Sequence, residues 1–262
     1  LAIARELARG MNGDLELSRN GEDGAVQGLA ALLHTPIVGC GLDASLLCMD
    51  KTLTKQLLAA ADIPVVPGRV CDATSTPPAF AELTSELGPV LFLKPVRQGS
   101  SVGVGKATTE TEYLAAFREA AKHDDVILIE TAITNVREFE VAMLGDAHAA
   151  RASVVGEVLP DREFYDYESK YDDASESQIV IPAQIDAELA ARIQQYAEQA
   201  YAALHCRGLS RVDFFVAGDG TLYLNEVNTM PGFTNISMYP KLWEATGVSY
   251  KDLVATLINE AR

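Results

Sequence analysis

Residues 207–232 read RGLSRVDFFVAGDGTLYLNEVNTMPG, and the fold is decided by this stretch. Asp213 lies between Val212 and the run Phe214-Phe215-Val216. Glu226 and Asn228 flank Val227, after the alternating Leu222-Tyr223-Leu224. Apolar segments with this patterning predict two strands. The intervening Ala217-Gly218-Asp219-Gly220 has hairpin-turn composition. A hairpin brings Asp213 beside Glu226 and Asn228. Period-two spacing puts Glu226 and Asn228 on one face, and Arg211 and Asp213 likewise share a face. Two carboxylates and an amide make a hard, all-oxygen donor set, suited to magnesium when phosphates complete the shell. An ordinary hairpin with outward polar residues carries the same pattern. The closing Asn228-Thr229-Met230-Pro231-Gly232 reads as a sharp turn.

The chain of 262 residues is long enough for a sizeable core and two domains. At 48% apolar residues, the composition excludes a disordered chain. A formal net charge of -16 disfavours a general nucleic-acid binder, which needs a basic footprint. Cys40, Cys48, Cys71 and Cys206 are scattered without a CxxC pair, which argues against a zinc knuckle or a disulfide scaffold. His34, His123, His148 and His205 are scattered too and read as surface or packing residues. No apolar run approaches the ~18 residues of a membrane span. The start lacks a secretory pattern, so a cytoplasmic enzyme is the expectation.

Residues 1–10 fit a short amphipathic helix, while 11–20 fit nothing regular. A helix is expected over 25–33 and a short buried strand over Pro36–Gly39. Asp43 or Ser45 is a candidate cap for the next helix, and Asp50 for the helix that follows, with Leu53, Leu57 and Leu58 as its apolar stripe. Residues 90–95 read as a strand with Lys94 near its end. The loop Arg97-Gln-Gly-Ser-Ser-Val-Gly-Val-Gly105 has the backbone N–H groups and hydroxyls to cradle phosphates, although its spacing is not that of a P-loop. A plain glycine-rich turn is the alternative. Strands are expected at 126–130, 138–143, 153–158 and 179–182, and helices at 79–87, 110–121 and 186–204, with more helix after 239. Trp243 reads as a core residue. The aromatic, charged stretch 164–171 reads as a loop that closes over something.

Six motifs in order carry a resemblance: GEDGAVQG at 21–28, MDK at 49–51, LKPVRQGSSVGVGK at 93–106, EFYDYESKY at 163–171, GLSRVDFF at 208–215 and NEVNTMPGFTNIS at 225–237. Together they resemble the D-alanine–D-alanine ligases of the ATP-grasp superfamily, from about residue 21 to the end. The resemblance implies a mixed α/β and α+β chain with two ATP-gripping subdomains and a fragmentary N-terminal α/β domain. The expected division is 1–50 for the N-terminal substrate domain, 51–130 for the central subdomain and 131–262 for the C-terminal subdomain with the metal site. The family begins with a strand and a glycine-rich loop bearing a glutamate, and has His-Gly just before GEDG. Here Arg19-Asn20 occupies that place. The expectation is that residues are missing there, not that the enzyme differs.

Carried over by position, the resemblance assigns Lys51, Lys94 and Lys170 to ATP phosphates, with Lys170 also reaching product. Glu130 and Glu138 are to hold adenine and ribose, and the backbone of Thr131, Ala132 and Ile133 is to contact adenine. Ser100 in the glycine-rich loop and Tyr171 are to meet and close the site. Asp213, Glu226 and Asn228 are to bind two magnesium ions, replaceable by manganese. Arg211 and the N–H of Gly232 are to face the reacting carbonyl, and Ser237 the carboxylate of the second D-alanine. The implied reaction joins two D-alanines through a D-alanyl phosphate for peptidoglycan precursor synthesis, in a homodimer without nucleic acid or membrane. A ligase with another acceptor, such as D-lactate, is the runner-up, and Tyr171 argues for an amine acceptor. A nucleotide-binding module without activity has no use for Arg211 beside the metal residues. A purely structural protein has no use for Lys51, Lys94 and three hard ligands.

Overall fold

A computed structural model describes residues 21–146, 149–159, 178–234 and 236–261. The expected helix at 1–10 and nearly all of the expected lid at 164–178, including Lys170 and Tyr171, lie outside the described residues.

Among the described residues three helices come first: α1 (Ala25–Leu32), α2 (Leu42–Met49) and α3 (Lys51–Ala60). Asp50 caps α3 as expected, its carboxylate accepting from the N–H groups of Thr52 and Leu53, each at 3.0 Å. Two expectations fail in this region. Neither Asp43 nor Ser45 caps α2: Gly41 holds that position, and Asp43 lies in the first turn. The buried strand expected at Pro36–Gly39 is absent, and Val38 is 48% exposed. Pro36 lacks a donor for a ladder, and Gly39 turns the chain with φ 100°. Gly39 there meets Gly208 so closely that a Cβ on Gly208 would stand 2.7 Å from the Gly39 Cα. Leu53, expected to face inward, is exposed; Thr54 takes the buried position and donates its hydroxyl to the Leu47 carbonyl at 2.6 Å.

A four-stranded antiparallel sheet follows, made of β1 (Gly68–Asp72), β2 (Leu91–Pro95), β3 (Gly105–Ala107) and β4 (Val126–Thr131) in the order β1-β4-β2-β3. Helices α4 (Phe80–Leu87) and α5 (Glu110–Ala120) cover one face. Leu83, Tyr113 and Phe117 pack there on Leu91, Leu93, Ile127 and Ile129. Period two sends Lys94 and Glu130 to the other face. The glycine-rich loop joins β2 to β3.

The larger sheet is also antiparallel, with β5 (Arg137–Gly145), β7 (Gly156–Leu159), β8 (Gln178–Val180), β9 (Gly208–Val216) and β10 (Leu222–Asn228) in the order β10-β9-β5-β7-β8. The short β6 (Arg151–Ala152) pairs with β5, so the strand expected over 153–158 begins only at Gly156. Between β8 and β9 runs α6 (Ala187–Ala203), capped by Asp186 as expected. Its Ile193, Ala197 and Ala200 join Phe139, Val141, Val212, Phe214 and Leu224 in the main core, where Leu58 and Ile63 also lie. On the opposite face, Ala142 and Leu144 meet α7 (Met238–Ala245) and α8 (Tyr250–Asn259) around Trp243, which is 1% exposed, in the core as expected.

Candidate functional site

The polar part of that second face sits on β5, β9 and β10. Ladder pairing sets Glu140 opposite Asp213 on one side, and Glu226 opposite Asp213 on the other. Asn228 stands opposite Arg211. The alternation along β10 does not by itself allow this. Leu222 and Leu224 point into the main core, and two-residue steps from Leu224 would carry Glu226 and Asn228 into it as well. The register slips by one residue between Leu224 and Glu226, so Asn225 is a β-bulge. Past the bulge Val227 takes the core side, and Glu226 and Asn228 join Asp213 on the polar face.

Arg211 is the centre of this group. Its Nε and Nη2 donate to the two oxygens of Asp213, each at 2.7 Å. The Asn228 amide donates to Asp213 Oδ2 at 2.9 Å. Glu140 Oε2 lies 3.0 Å from Arg211 Nε. That contact is an ion pair without an aligned hydrogen bond, because the Nε hydrogen is aimed at Asp213. Burial works against the guanidinium charge, but Asp213 and Glu140 hold it firmly protonated. The Glu140 carboxyl is pushed up to about 8 by burial and by Asp213, against the pull of Arg211.

The smaller sheet and α3 supply positive charge. Glu130 is 3% exposed, and one oxygen pairs with Lys94 at 2.5 Å while the other pairs with Lys55. Lys55 also donates to the Val66 carbonyl at 2.6 Å. Both Glu130 oxygens are thus engaged by ammonium groups. Burial lowers Lys94, but Glu130, Glu226 and Glu138 outweigh it and hold the ammonium above its usual range. Lys51 donates to the carbonyls of Gln98 at 2.5 Å and Val96 at 3.5 Å, at the root of the glycine-rich loop. Burial holds Lys51 below its usual range despite Glu226, and Lys94 adds to the lowering.

The loop itself turns through left-handed backbone at Ser100 (φ 51°), Ser101 (φ 59°) and Gly103 (φ 70°). Its base is anchored at Arg97, whose N–H donates to Asp124 Oδ2 at 2.7 Å and whose guanidinium pairs with the same carboxylate. Glu22, in the GEDG turn, reaches under this loop: a Cβ on Gly99 would stand 3.4 Å from its Oε2. Burial and Glu226 push the Glu22 carboxyl up, against Arg211 and Lys51.

The structure also brings Gly232 to Ser237. A Cβ at position 232 would stand 2.9 Å from the Ser237 hydroxyl, which accepts from the Thr234 N–H at 3.1 Å. Near Glu130, the N–H groups of Thr131 and Ala132 already donate to the carbonyls of Pro67 and Val90, at 3.1 and 3.0 Å; Ile133 follows at the strand exit. Glu138 shares the polar side of β5 with Glu140, opposite Phe215 on β9.

Among the described residues, no three His, Cys, Asp or Glu side chains are arranged to hold a metal ion. Asp213 is drawn instead onto Arg211 and Asn228. The charge distribution nonetheless fits a cation. Glu140 and Asp213 reach one guanidinium with Glu226 nearby; burial first, and then repulsion from Asp213, pushes the Glu140 carboxyl up, and an added cation would relieve the second of these.

Three residues of this constellation were missed from sequence: Glu22, Lys55 and Glu140. Lys55 is one helical turn after Lys51, and Glu140 is two residues after Glu138 on a strand. Both periodicities were available signals. Glu22 sits within GEDG, which the resemblance quoted without assigning it a role.

The family described as D-ala D-ala ligase C-terminus matches residues 57–259. A D-alanine–D-alanine ligase of Shouchella clausii is 48% identical over 92% of this chain, and the chain spans 65% of that relative's length. The structure of the D-alanine-D-alanine ligase from Coxiella burnetii superimposes with a TM-score of 0.79 at 39% identity, covering 92% of this chain and 65% of that one. The VanG D-Ala:D-Ser ligase from Enterococcus faecalis gives a TM-score of 0.83 at 40% identity, covering 92% of this chain and 69% of that one. These likenesses bear out the ATP-grasp fold expected from the motifs. With two antiparallel sheets and a family match over most of its length, the chain belongs to the D-alanine–D-alanine ligase family.

Proposed function

We propose that the protein ligates two D-alanine molecules with ATP, giving D-alanyl-D-alanine, ADP and phosphate. The observation that carries this reading is the acidic row of Glu140, Asp213 and Glu226 around Arg211, in a chain of this family. The carboxylate of the first D-alanine attacks the γ-phosphate to give an acyl phosphate and ADP. The amine of the second then attacks the acyl carbon, and phosphate leaves. No covalent bond to the protein is needed.

Lys51 and Lys94 meet the phosphates, and Glu130 keeps Lys94 charged and aimed, a role added here to its expected contact with adenine. Glu138 and the 131–133 backbone belong to the adenosine side in this reading. Asp213, Glu226 and Asn228 would hold magnesium, which when bound neutralises charge on the phosphoryl oxygens. Arg211 and the Gly232 N–H face the carbonyl oxygen as it gains charge, and Ser237 holds the acceptor carboxylate. Ser100, with Lys170 and Tyr171 from outside the described residues, closes the cleft against water. The division into 1–50, 51–130 and 131–262, a homodimer and a cytoplasmic location complete the reading on the resemblance. No helix among the described residues is long and apolar enough to cross a membrane.

One structural relative is a D-Ala:D-Ser ligase, so the acceptor is the point to test. The assay is ADP release with D-alanine and magnesium, with products identified by mass when D-alanine, D-serine and D-lactate compete at equal concentration. D-alanyl-D-alanine as main product is expected. Glu226→Ala is expected to lower the rate by several powers of ten, on the order of losing a metal's charge compensation. A variant retaining more than about a tenth of the wild-type rate would overturn the metal assignment.

A further inference from the structure

Three of the four cysteines, scattered in sequence, converge in the fold. The Sγ atoms of Cys48 and Cys206 lie 4.0 Å apart. Cys40 also neighbours Cys206 and donates to the carbonyls of Arg207 at 3.4 Å and Leu209 at 3.5 Å. Cys206 and Cys40 are 0% and 3% exposed, whereas Cys48 is only partly buried. Cys71 lies in the separate core of the smaller sheet. All four are free thiols.

We propose that Cys48 and Cys206 form a reversible oxidative modification site, closing to an intramolecular disulfide when the protein meets a peroxide. Cys48, the partly exposed member, reacts first. Its thiolate attacks one peroxide oxygen, the O–O bond breaks, and the sulfur becomes a sulfenic acid while the leaving hydroxide ends as water. The Cys206 sulfur then attacks the Cys48 sulfur. The S–O bond breaks, and the hydroxide that leaves takes the Cys206 proton as a second water. Two thiols and one peroxide thus become one disulfide and two waters. Cys40 is shielded from a first encounter by burial and tied to two backbone carbonyls. The sulfurs must approach by about 2 Å to reach bonding distance. Cys48 is in the last turn of α2, where side-chain rotation and a small shift of the helix end can provide it.

The place of the bond gives it a consequence. Cys48 precedes Lys51 by three residues, and Cys206 precedes Arg211 by five. A disulfide here staples the helix end that leads to Lys51 onto the entry of β9, which carries Arg211 and Asp213. The cleft's lysine side and acidic side would then be tied at one corner.

The test is a non-reducing peptide map after brief treatment with hydrogen peroxide and alkylation of the remaining thiols. Expected are a Cys48–Cys206 linked peptide pair, a fall from four alkylated cysteines to two, and full recovery with dithiothreitol. Cys71→Ser should leave the link intact and Cys48→Ser should remove it. Four alkylated cysteines after treatment, Cys48 recovered as a sulfinic acid beside a free Cys206, or a Cys40–Cys206 link would each overturn the proposal. The wild-type map decides the matter even where a cysteine variant folds poorly.

Discussion

Glu140 faces Asp213 across the β5–β9 ladder, and both carboxyl groups reach the same nitrogen, Nε of Arg211. Asp213 holds the guanidinium by two aligned hydrogen bonds, while Glu140 Oε2 lies 3.0 Å from Nε without one. Glu140→Gln keeps the shape and removes the titratable carboxyl, whose pKa is pushed up to about 8. We expect kcat to fall roughly 10- to 100-fold, as for a misplaced catalytic group, with the nucleotide KM little changed. Steady-state kinetics at saturating magnesium check this. An unchanged kcat would reduce Glu140 to a packing residue.

The bulge at Asn225 makes a second prediction. Deleting Asn225 removes the extra residue and leaves Glu226 one step after Leu224, still opposite Asp213 on the polar face, with Val227 still on the core side. The deletion should therefore keep the hairpin paired and the protein folded. Asn225→Ala keeps the extra residue and should be nearly neutral. Urea unfolding of the two variants is the comparison, and a deletion variant that unfolds where Asn225→Ala stays folded would show that the bulged geometry itself is needed.

Glu130 with Lys55 and Lys94 makes a third. Lys55→Met leaves one oxygen of a buried carboxylate without its cation, which should destabilise by about 3–5 kcal/mol. Adding Glu130→Gln to Lys55→Met should cost less than the sum of the two single changes, because the groups compensate one another. A thermodynamic cycle of unfolding free energies reads the coupling. Strict additivity would mean that the three charges act independently.

The anchor of the glycine-rich loop has a pH signature. The Asp124 side chain is 2% exposed. Burial opposes its ionisation, but hydrogen bonds from the Arg97 guanidinium and from the N–H groups of Arg97 and Val126 hold its pKa down at about 2. A folded-state value below the unfolded one stabilises the fold above the unfolded pKa of about 4, and that contribution is lost as pH falls toward 2. It amounts to at most roughly 2.5 kcal/mol. Asp124→Asn should therefore be less stable than wild type near pH 7, and the gap should shrink below pH of about 4. A gap independent of pH would point to packing in place of charge.

The local periodicities of this chain were enough to find most helices, the β9–β10 hairpin and the acids Asp213 and Glu226 on it, while Lys51 and Lys94 entered as site residues through the resemblance. Asp50 as a cap, the inward face of α6 and Trp243 in the core all follow from nearest neighbours in sequence. Only the tertiary structure decided which way Glu226 points. A β-bulge costs one residue and leaves no compositional mark, yet it reverses every side chain beyond it. Only the tertiary structure, again, turned Glu130 from a free strand-end acid into the buried counter-ion of Lys55 and Lys94, because that depends on α3 meeting β2 and β4. Pro36–Gly39 shows the same limit from the other side. An apolar run becomes a strand when a neighbour accepts its hydrogen bonds, and here Gly39 is instead packed against Gly208, 169 positions later along the chain.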